Sequence, residues 1–358
     1  MLPLDGHDRP ARAVTAGAER LLGAVRREPV DATPVWFMRQ AGRALPEYRA
    51  LRSRHSFMEL ALNPELCVEV TCLPVDRLGV DAAVLFADIM LPLLGMGVEF
   101  EIREGVGPIV AQPVRSAEQV AALRVVEAAE ATPHLIPAVR GCRERLGESA
   151  ALIGFGAAPF TLACYLVEGQ GSRDFPHVRG LIHSEPGVWD GLMTTLTEVL
   201  SRYLSAQAEA GAQVLQLFDS WAGVLDQPTF LRHVAPHLRE LAARLRTLAP
   251  VIYFSTGSAH LLPAFRELGV DGISLDWRVR LGRAWETVGH DHFVQGNLDP
   301  ALVLAPWEAL EAGARLVLAE AEDHLGHIFN LGHGVLPESD PDQLRRLVEF
   351  VHNAERGG

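Results

Sequence analysis

Short apolar runs alternate with longer amphipathic segments along most of this chain. The runs are rich in β-branched and aromatic residues and lack strict polar–apolar alternation, which is typical of strands buried on both faces of a parallel sheet. Eight such runs predict strands, over residues 34–38, 82–86, 151–155, 213–218, 251–254, 272–275, 293–295 and 327–331.

The segments between the runs have the three- and four-residue apolar spacing of helices. In the segment 187–209, for example, Val188, Leu192 and Leu196 would share one face, and 230–248, 261–268 and 341–354 show the same spacing. Strand–helix alternation repeated eight times over roughly 300 residues predicts an α/β fold, a single-domain (β/α)8 TIM barrel. A doubly wound open sheet is the alternative, but it would need a domain boundary that the sequence does not show.

One insertion and one terminal segment depart from this alternation. Residues 98–102 and 108–110, on either side of a glycine-containing turn, predict a β-hairpin inserted after the second strand. Residues 1–20 are predicted to form an N-terminal arm or a short helix, and residues 21–358 the barrel domain.

Charge and composition exclude several classes of protein. The chain has 358 residues, with 32 Lys+Arg against 45 Asp+Glu, and a net charge of −13 with neutral histidines. This balance disfavours non-specific nucleic-acid binding, which needs surplus cations. None of the basic residues is lysine, so lysine Schiff-base chemistry and a P-loop are both excluded.

Cysteine usage and hydropathy predict a reduced, cytoplasmic protein. The four cysteines form no C-x-x-C pair, and the N-terminus lacks the apolar region of a signal peptide. The longest apolar stretch, 80–98, contains Asp81 and Asp88, so we expect no membrane span.

Polar side chains follow the predicted strands, at the end where barrel enzymes place their chemistry. Together with Pro159, which follows the third run, these residues are Arg39, Gln40, Arg43, Asp88, Thr161, Tyr165, Asp219, Ser220, Thr256, Asp276, Asn297, Asp299 and His333. Guanidinium groups bind carboxylates and phosphates with charge-assisted bonds. Arg39 and Arg43 could instead form surface pairs with Glu47 or Glu59, but the glycine-containing turn between them favours an anion site.

Two long motifs resemble the signatures of the uroporphyrinogen decarboxylase family. The first is PVWFMRQAGR at 34–43, followed by LPEYR at 45–49, and the second is GFGAAPFTLACYLVEG at 154–169. Segments 218–223, 295–300 and 330–334 are also similar, so the resemblance runs from about residue 20 to the C-terminus. Ala44 departs from the pattern, because the family usually has an aromatic residue there.

The resemblance implies a reaction and an assembly. Similar enzymes remove carboxyl groups from the four acetate side chains of uroporphyrinogen and produce coproporphyrinogen. They are homodimers of (β/α)8 barrels that need neither a metal nor an organic cofactor. We therefore expect a tetrapyrrole polycarboxylate as substrate, a homodimer, and no nucleic-acid or membrane partner.

The resemblance also implies roles for individual residues. Asp88 would accept pyrrole N–H bonds and stabilise positive charge on the ring, although a helix N-cap is an equally good interpretation of this aspartate without the resemblance. The implied substrate-binding residues are Arg39, Gln40, Ala41, Gly42, Arg43, Arg52, Asp88, Tyr165, Ser220 and His333. Arg39 is also a candidate general acid, directly or through a water, but its high pKa suits neutral pH poorly, so the proton donor stays open.

Two other functions remain to be distinguished. A zinc-dependent, corrinoid-linked methyltransferase would share the barrel, but its late H-x-C motif is absent, since no cysteine follows Cys164. A tetrapyrrole carrier without activity would not need Asp88 beneath the rings. Stoichiometric zinc would favour the methyltransferase, and tight porphyrin binding without CO2 release would favour the carrier.

Overall fold

The computed structural model describes residues 16–103 and 106–354, which contain nine β-strands. The strands are β1 (Ala82–Val84), β2 (Phe100–Arg103), β3 (Gly107–Val110), β4 (Ala151–Ala157), β5 (Val214–Asp219), β6 (Val251–Ser255), β7 (Gly272–Ser274), β8 (Phe293–Gln295) and β9 (His327–Ile328). Seven of them form a parallel sheet in the order β1-β4-β5-β6-β7-β8-β9.

The parallel sheet curls so that one segment hydrogen-bonds to both of its edges. The Phe329 N–H donates to the Pro34 carbonyl at 2.8 Å, just after β9, and the Asp81 N–H donates to the Val35 carbonyl at 2.8 Å, just before β1. The predicted α/β class is confirmed, and the arrangement is consistent with a TIM-like barrel.

Seven of the eight predicted runs contain a strand of this sheet, and the first run differs. Segment 34–38 forms a single bridge, between Val35 and Phe329. Side chains satisfy its other N–H groups: the Phe37 N–H donates to Gln40 Oε1 at 2.9 Å, and the Met38 N–H to Asn330 Oδ1 at 3.1 Å. Because side chains replace the backbone partners, no ladder extends along the run.

Sixteen α-helices surround the sheet within the described residues. They are α1 (Gly17–Val25), α2 (Pro46–Arg52), α3 (Phe57–Leu62), α4 (Pro64–Leu78), α5 (Ala117–Ala121), α6 (Ala128–Ala131), α7 (Leu135–Leu146), α8 (Pro159–Glu168), α9 (Pro176–Ser184), α10 (Pro186–Ala210), α11 (Gln227–His233), α12 (Ala235–Leu245), α13 (Leu262–Phe265), α14 (Leu281–Val288), α15 (Trp307–Ala321) and α16 (Pro341–Asn353). Short 3-10 helices lie at Leu91–Leu94, Ala222–Val224, Ala259–Leu261 and Pro300–Leu304.

The prediction of one continuous helix over 230–248 is wrong. The structure divides this region between α11 and α12, and Val234 between them has non-helical dihedral angles of −125° and −51°. Pro236 accounts for the break, because proline lacks an N–H and is best accommodated in the first turn of a helix, which is where α12 places it.

An antiparallel ribbon follows the first strand of the sheet. Strands β2 and β3 pair with Phe100 opposite Val110, and the Val110 N–H donates to the Gly169 carbonyl at 2.7 Å. This bond holds the ribbon beside the end of α8. Residues 104 and 105, in the predicted turn, and residues 1–15, in the predicted arm, lie outside the described residues.

A buried ionic cluster joins the elements at the amino end of the sheet. Asp81, only 2% exposed, accepts hydrogen bonds from Arg20 Nη1 at 2.6 Å and from the Val35 N–H at 2.7 Å. His352 Nε2 lies 2.7 Å from Asp81 Oδ2, the same oxygen that accepts the Val35 N–H. Arg20 also forms a salt bridge with Asp31 at 2.8 Å. Helices α1 and α16 are thereby attached to the edge of β1.

Candidate active site

The carboxyl ends of the strands surround a cavity of about 530 Å³. Nine of the ten predicted site residues line it, and they are Arg39, Gln40, Ala41, Gly42, Arg43, Asp88, Tyr165, Ser220 and His333. A larger groove of about 720 Å³ between α15 and α16 contains none of them. The candidate chemistry therefore lies in the smaller cavity.

Arg52 is the predicted residue that does not line the cavity. It lies in the last turn of α2, where its Nη1 donates to the His55 carbonyl at 2.6 Å. Its charge also acts on the hydroxyl of Tyr48, which does line the cavity. Arg52 therefore lies outside the cavity, and Tyr48 separates it from the cavity interior.

The turn at residues 39–43 is held to β1 by the side chain of Gln40. Gln40 Nε2 donates to the Ala82 carbonyl at 2.8 Å, while Oε1 accepts the Phe37 N–H. The Gln40 amide is therefore occupied within the protein, whereas the sequence suggested contacts to substrate. Inside this turn Arg39 has a φ of 59°, a left-handed conformation that a non-glycine residue adopts only where its surroundings require it.

Two glycines beside His333 make room for protein groups. A Cβ on Gly334 would lie 2.5 Å from Cδ and 2.9 Å from Cγ of Arg39, so the arginine side chain lies directly across this glycine. A Cβ on Gly332 would clash with the Trp277 backbone and lie 2.8 Å from its Cα. These glycines therefore allow close contacts with Arg39 and Trp277.

Asp88 lies just beyond β1, where it has a local backbone partner and a place in the cavity lining. Its Oδ1 accepts the Met90 N–H at 2.8 Å, a local bond before the 3-10 helix Leu91–Leu94, and the residue lines the cavity. Burial raises the pKa of Asp88 above the ordinary aspartate value, although the Met90 N–H and the Arg39 charge both oppose this shift.

Tyr165 and Ser220 come from neighbouring elements on another wall. Tyr165 lies on α8 with its ring 6.2 Å from the Trp221 ring, and burial raises the pKa of its hydroxyl. The Ser220 carbonyl accepts a bond from Thr256 Oγ1 at 2.9 Å, which ties the end of β5 to that of β6. Both residues therefore line the cavity, and the bond from Thr256 fixes the backbone at Ser220.

His333 is neutral at physiological pH. Burial lowers its pKa to about 4, and the positive charges of Arg39 and Arg278 add to this shift. The imidazole can donate one hydrogen bond and accept another, but it supplies no cation to the cavity.

Asp219 supports the site from behind. It is fully buried and accepts hydrogen bonds from Thr161 Oγ1 and the Tyr253 hydroxyl, both at 2.7 Å. These partners lie on α8 and β6. Burial raises the pKa of Asp219 to about 6.

Sequence reasoning missed the aromatic wall of the cavity. Besides Tyr165, seven aromatic side chains in the described part of the chain line it, and they are Trp36, Tyr48, Phe57, Phe86, Phe155, Phe218 and Phe254. Phe218 packs edge-on against Phe155 at 5.5 Å and against Phe254 at 5.8 Å. A search for aromatic residues at the ends of the predicted strands would have found Phe86, Phe155, Phe218 and Phe254. The wall provides an apolar surface for flat rings beside the polar groups.

Two negative findings apply to residues 16–103 and 106–354. No group of three or more histidine, cysteine or acidic side chains there is placed to hold a metal ion. Across the same ranges, every helix is too short or too polar to cross a membrane.

Comparison with known proteins identifies the family. The model of the uroporphyrinogen decarboxylase family, URO-D, matches residues 16–354. The chain belongs to the uroporphyrinogen decarboxylase family. A uroporphyrinogen decarboxylase from Sorangium cellulosum (strain So ce56) is 49% identical over 339 residues, which cover 94% of this chain and 97% of the relative. Another from Roseiflexus sp. (strain RS-1) is 47% identical, covering 93% and 97%. These relatives support a decarboxylation role in porphyrin biosynthesis for this member of the family.

A solved structure shares the fold of this uroporphyrinogen decarboxylase family member. It is a methyltransferase from Methanosarcina mazei, with a TM-score of 0.74 and 20% identity, covering 94% of this chain and 98% of the other. At that identity the likeness describes the fold alone.

Proposed function

We propose that this chain removes CO2 from the four acetate side chains of uroporphyrinogen III and produces coproporphyrinogen III, as a carboxy-lyase of porphyrin and haem biosynthesis. The observation that carries the proposal is the meeting of Asp88, Arg39 and Arg43 in one cavity with an aromatic wall. The carboxylate suits pyrrole N–H groups, the arginines suit the side-chain carboxylates, and the aromatic rings suit the flat pyrroles.

The reaction needs an electron sink for the bond that breaks. A proton adds to the ring carbon next to the one that carries the acetate, and the pyrrole becomes cationic. The bond to CO2 then breaks, and its electron pair neutralises the ring and leaves an exocyclic methylene. Protonation of the methylene and loss of the added ring proton restore the pyrrole with a methyl group, so each turnover consumes one proton.

Asp88 is the residue that we assign to the cationic ring. Its Oδ1 is already oriented by the Met90 N–H at 2.8 Å, so the carboxylate does not have to reorganise when the charge develops. Oriented groups in a partly desolvated site stabilise a transition state more than water does. The nearby Arg39 charge favours the ionised form of Asp88 that this role requires.

Arg39 and Arg43 bind substrate carboxylates in this proposal. Each charge-assisted hydrogen bond contributes on the order of 1.5–3 kcal/mol. A few such bonds orient a polyanion that the net charge of −13 would otherwise repel. Tyr165, Ser220 and neutral His333 add hydrogen bonds to the acetate or propionate groups.

The finer organisation is also part of the proposal. Residues 21–358 belong to one (β/α)8 barrel with a hairpin inserted after its second strand, and residues 17–20, within α1, pack with it because Arg20 pairs with the buried Asp81. The bonds from Pro34 and Val35 to both sheet edges support closure of the barrel. The family resemblance supports a cytoplasmic homodimer that works without a metal or an organic cofactor.

The test is anaerobic incubation with enzymatically generated uroporphyrinogen, before and after treatment with a chelator. We expect products with seven down to four carboxyl groups and no effect of chelation. Ligand binding with an unchanged carboxyl count would favour the carrier function and would remove the role given to Asp88. Activity that is lost with the chelator and restored by zinc would contradict the cofactor-independent reaction.

A further inference from the structure

A half-exposed arginine, Arg278, stacks on Trp277, whose ring lies near that of His333 in the cavity lining. The guanidinium carbon of Arg278 is 3.8 Å from the centre of the Trp277 ring, and that ring is 6.2 Å from the His333 ring. The positive charge of Arg278 contributes to the low pKa of His333. Arg278 therefore lies within electrostatic range of a side chain that lines the cavity.

The backbone and side chain of Arg278 are held by one buried carboxylate. Asp276, 5% exposed, accepts the Arg278 N–H at 3.0 Å and Arg278 Nη1 at 2.9 Å. The Gly257 N–H also donates to Asp276, at 2.6 Å, and Asn297 Nδ2 donates to the Asp276 carbonyl at 2.8 Å. A guanidinium that is stacked and clamped in this way loses little rotamer freedom when it binds an anion.

The cavity contains fewer positive charges than the proposed substrate has carboxylates. The arginines in the described lining are Arg39 and Arg43, and His333 is neutral. The proposed substrate carries four acetates and four propionates around its rings. Several of its carboxylates must therefore lie beyond these two arginines.

We propose that Arg278 is a further carboxylate-binding residue, which holds a peripheral acetate or propionate of the tetrapyrrole where it passes His333. The inference rests on the proposed function and names a specificity element of the same site. Asp276 occupies Nη1 and Trp277 one face of the guanidinium, while the side chain remains 51% exposed, so its other N–H groups can reach a ligand.

The experiment compares Arg278→Ala with Arg280→Ala. Arg280 is the matched control because it lies two residues away, carries the same charge, and pairs with Glu320. Binding of the stable, fluorescent uroporphyrin and coproporphyrin is measured by titration at low ionic strength. For uroporphyrin we expect about fivefold weaker binding to Arg278→Ala, in line with a partly exposed charge pair, and an unchanged affinity for Arg280→Ala. Coproporphyrin, which lacks the acetates, shows whether the contact is to an acetate or to a propionate.

Turnover and a spectroscopic signature complete the test. Arg278→Ala should raise KM for uroporphyrinogen about as much as it weakens uroporphyrin binding, with a smaller change in kcat. Titration of His333 by NMR should show a raised pKa in Arg278→Ala, since a neighbouring positive charge has been removed.

The outcomes separate this proposal from the proposed function. Equal affinities and KM values for wild type, Arg278→Ala and Arg280→Ala would overturn the role of Arg278. A wild-type protein that binds uroporphyrin but releases no CO2 would overturn the decarboxylase instead, and the binding comparison would still decide whether Arg278 holds a carboxylate.

Discussion

Gly334→Ala tests the position of Arg39 without changing any charged group. The added Cβ would lie 2.5 Å from Cδ and 2.9 Å from Cγ of Arg39. Both distances are too short for carbon atoms, and they involve the middle of the side chain, so the guanidinium at its end must swing away. The backbone at Gly334 does not have a positive φ, and alanine is therefore tolerated there.

The size of the effect follows from the bond that is lost. If Arg39 makes one charge-assisted hydrogen bond to the substrate, its loss removes about 1.5–3 kcal/mol of transition-state binding. That corresponds to a fall of about 10- to 150-fold in kcat/KM. The free energy of unfolding should change by less than about 1 kcal/mol, because the displaced side chain is solvent-exposed at the cavity mouth.

The assay combines steady-state decarboxylation with urea unfolding, and it has two controls. Gly332→Ala would clash with the Trp277 backbone, so we expect a loss of about 1–3 kcal/mol in stability. Gly187→Ala has open space around the new methyl group and should change neither quantity.

A double-mutant cycle gives the decisive comparison. In an Arg39→Ala background, Gly334→Ala should cause little further loss, because the displaced side chain is already gone. Wild-type kcat/KM in Gly334→Ala, or an undiminished loss in the Arg39→Ala background, would refute the reasoning.

Three further predictions test the carboxylate, the ionic cluster and the histidine. Asp88→Asn should retain the fold, because an amide oxygen still accepts the Met90 N–H, but should lose about 10²- to 10³-fold in kcat; near-native turnover would exclude the assigned role. Asp81→Asn should lower the free energy of unfolding in urea by about 3 kcal/mol, since the buried Arg20 loses one of its anionic partners. Asp76→Asn, which removes an exposed pair with Arg145, should lower it by less than about 1 kcal/mol. His333 has a folded-state pKa of about 4, so the unfolded chain binds more protons between pH 4 and 6.5, and His333 lowers the stability as the pH falls through this window. Wild type should therefore lose about 1.5 kcal/mol more stability than His333→Gln between pH 6.5 and 5, and parallel pH profiles of the two proteins would contradict this.

The fold was predictable where burial alone decides the structure. Strands β4 to β8 are buried almost throughout, so their sequences are largely continuous apolar runs, and periodicity locates them within about two residues. The run at 34–38 looks the same, but Gln40 and Asn330 bond to its N–H groups, and a pattern of apolar residues contains no information about such partners. Pro236 was visible in the sequence, yet only its observed place at the start of α12 shows that it divides two helices.

The candidate site was predictable for those residues that the strand topology alone brings together. Parallel strands bring their carboxyl ends to one edge, so residues distant in sequence, such as Arg39, Asp88, Ser220 and His333, were expected together from strand positions alone. Arg52 lies in the last turn of α2, and the direction of that helix places Tyr48 between Arg52 and the cavity. That displacement depends on packing, which strand positions do not report.

By itself, the sequence determined the α/β class, the end of the sheet where the candidate site lies, the excluded lysine chemistry and the family resemblance. These are properties of residue identity and spacing, which local hydrogen bonding and burial translate into structure. Only the tertiary structure decided that Gln40 clamps a turn, that Gly334 lies beneath Arg39, and that Arg278 stands beside His333. Each of these depends on contacts between segments far apart in the chain, and the direction of a side chain across such a contact is set by packing in three dimensions.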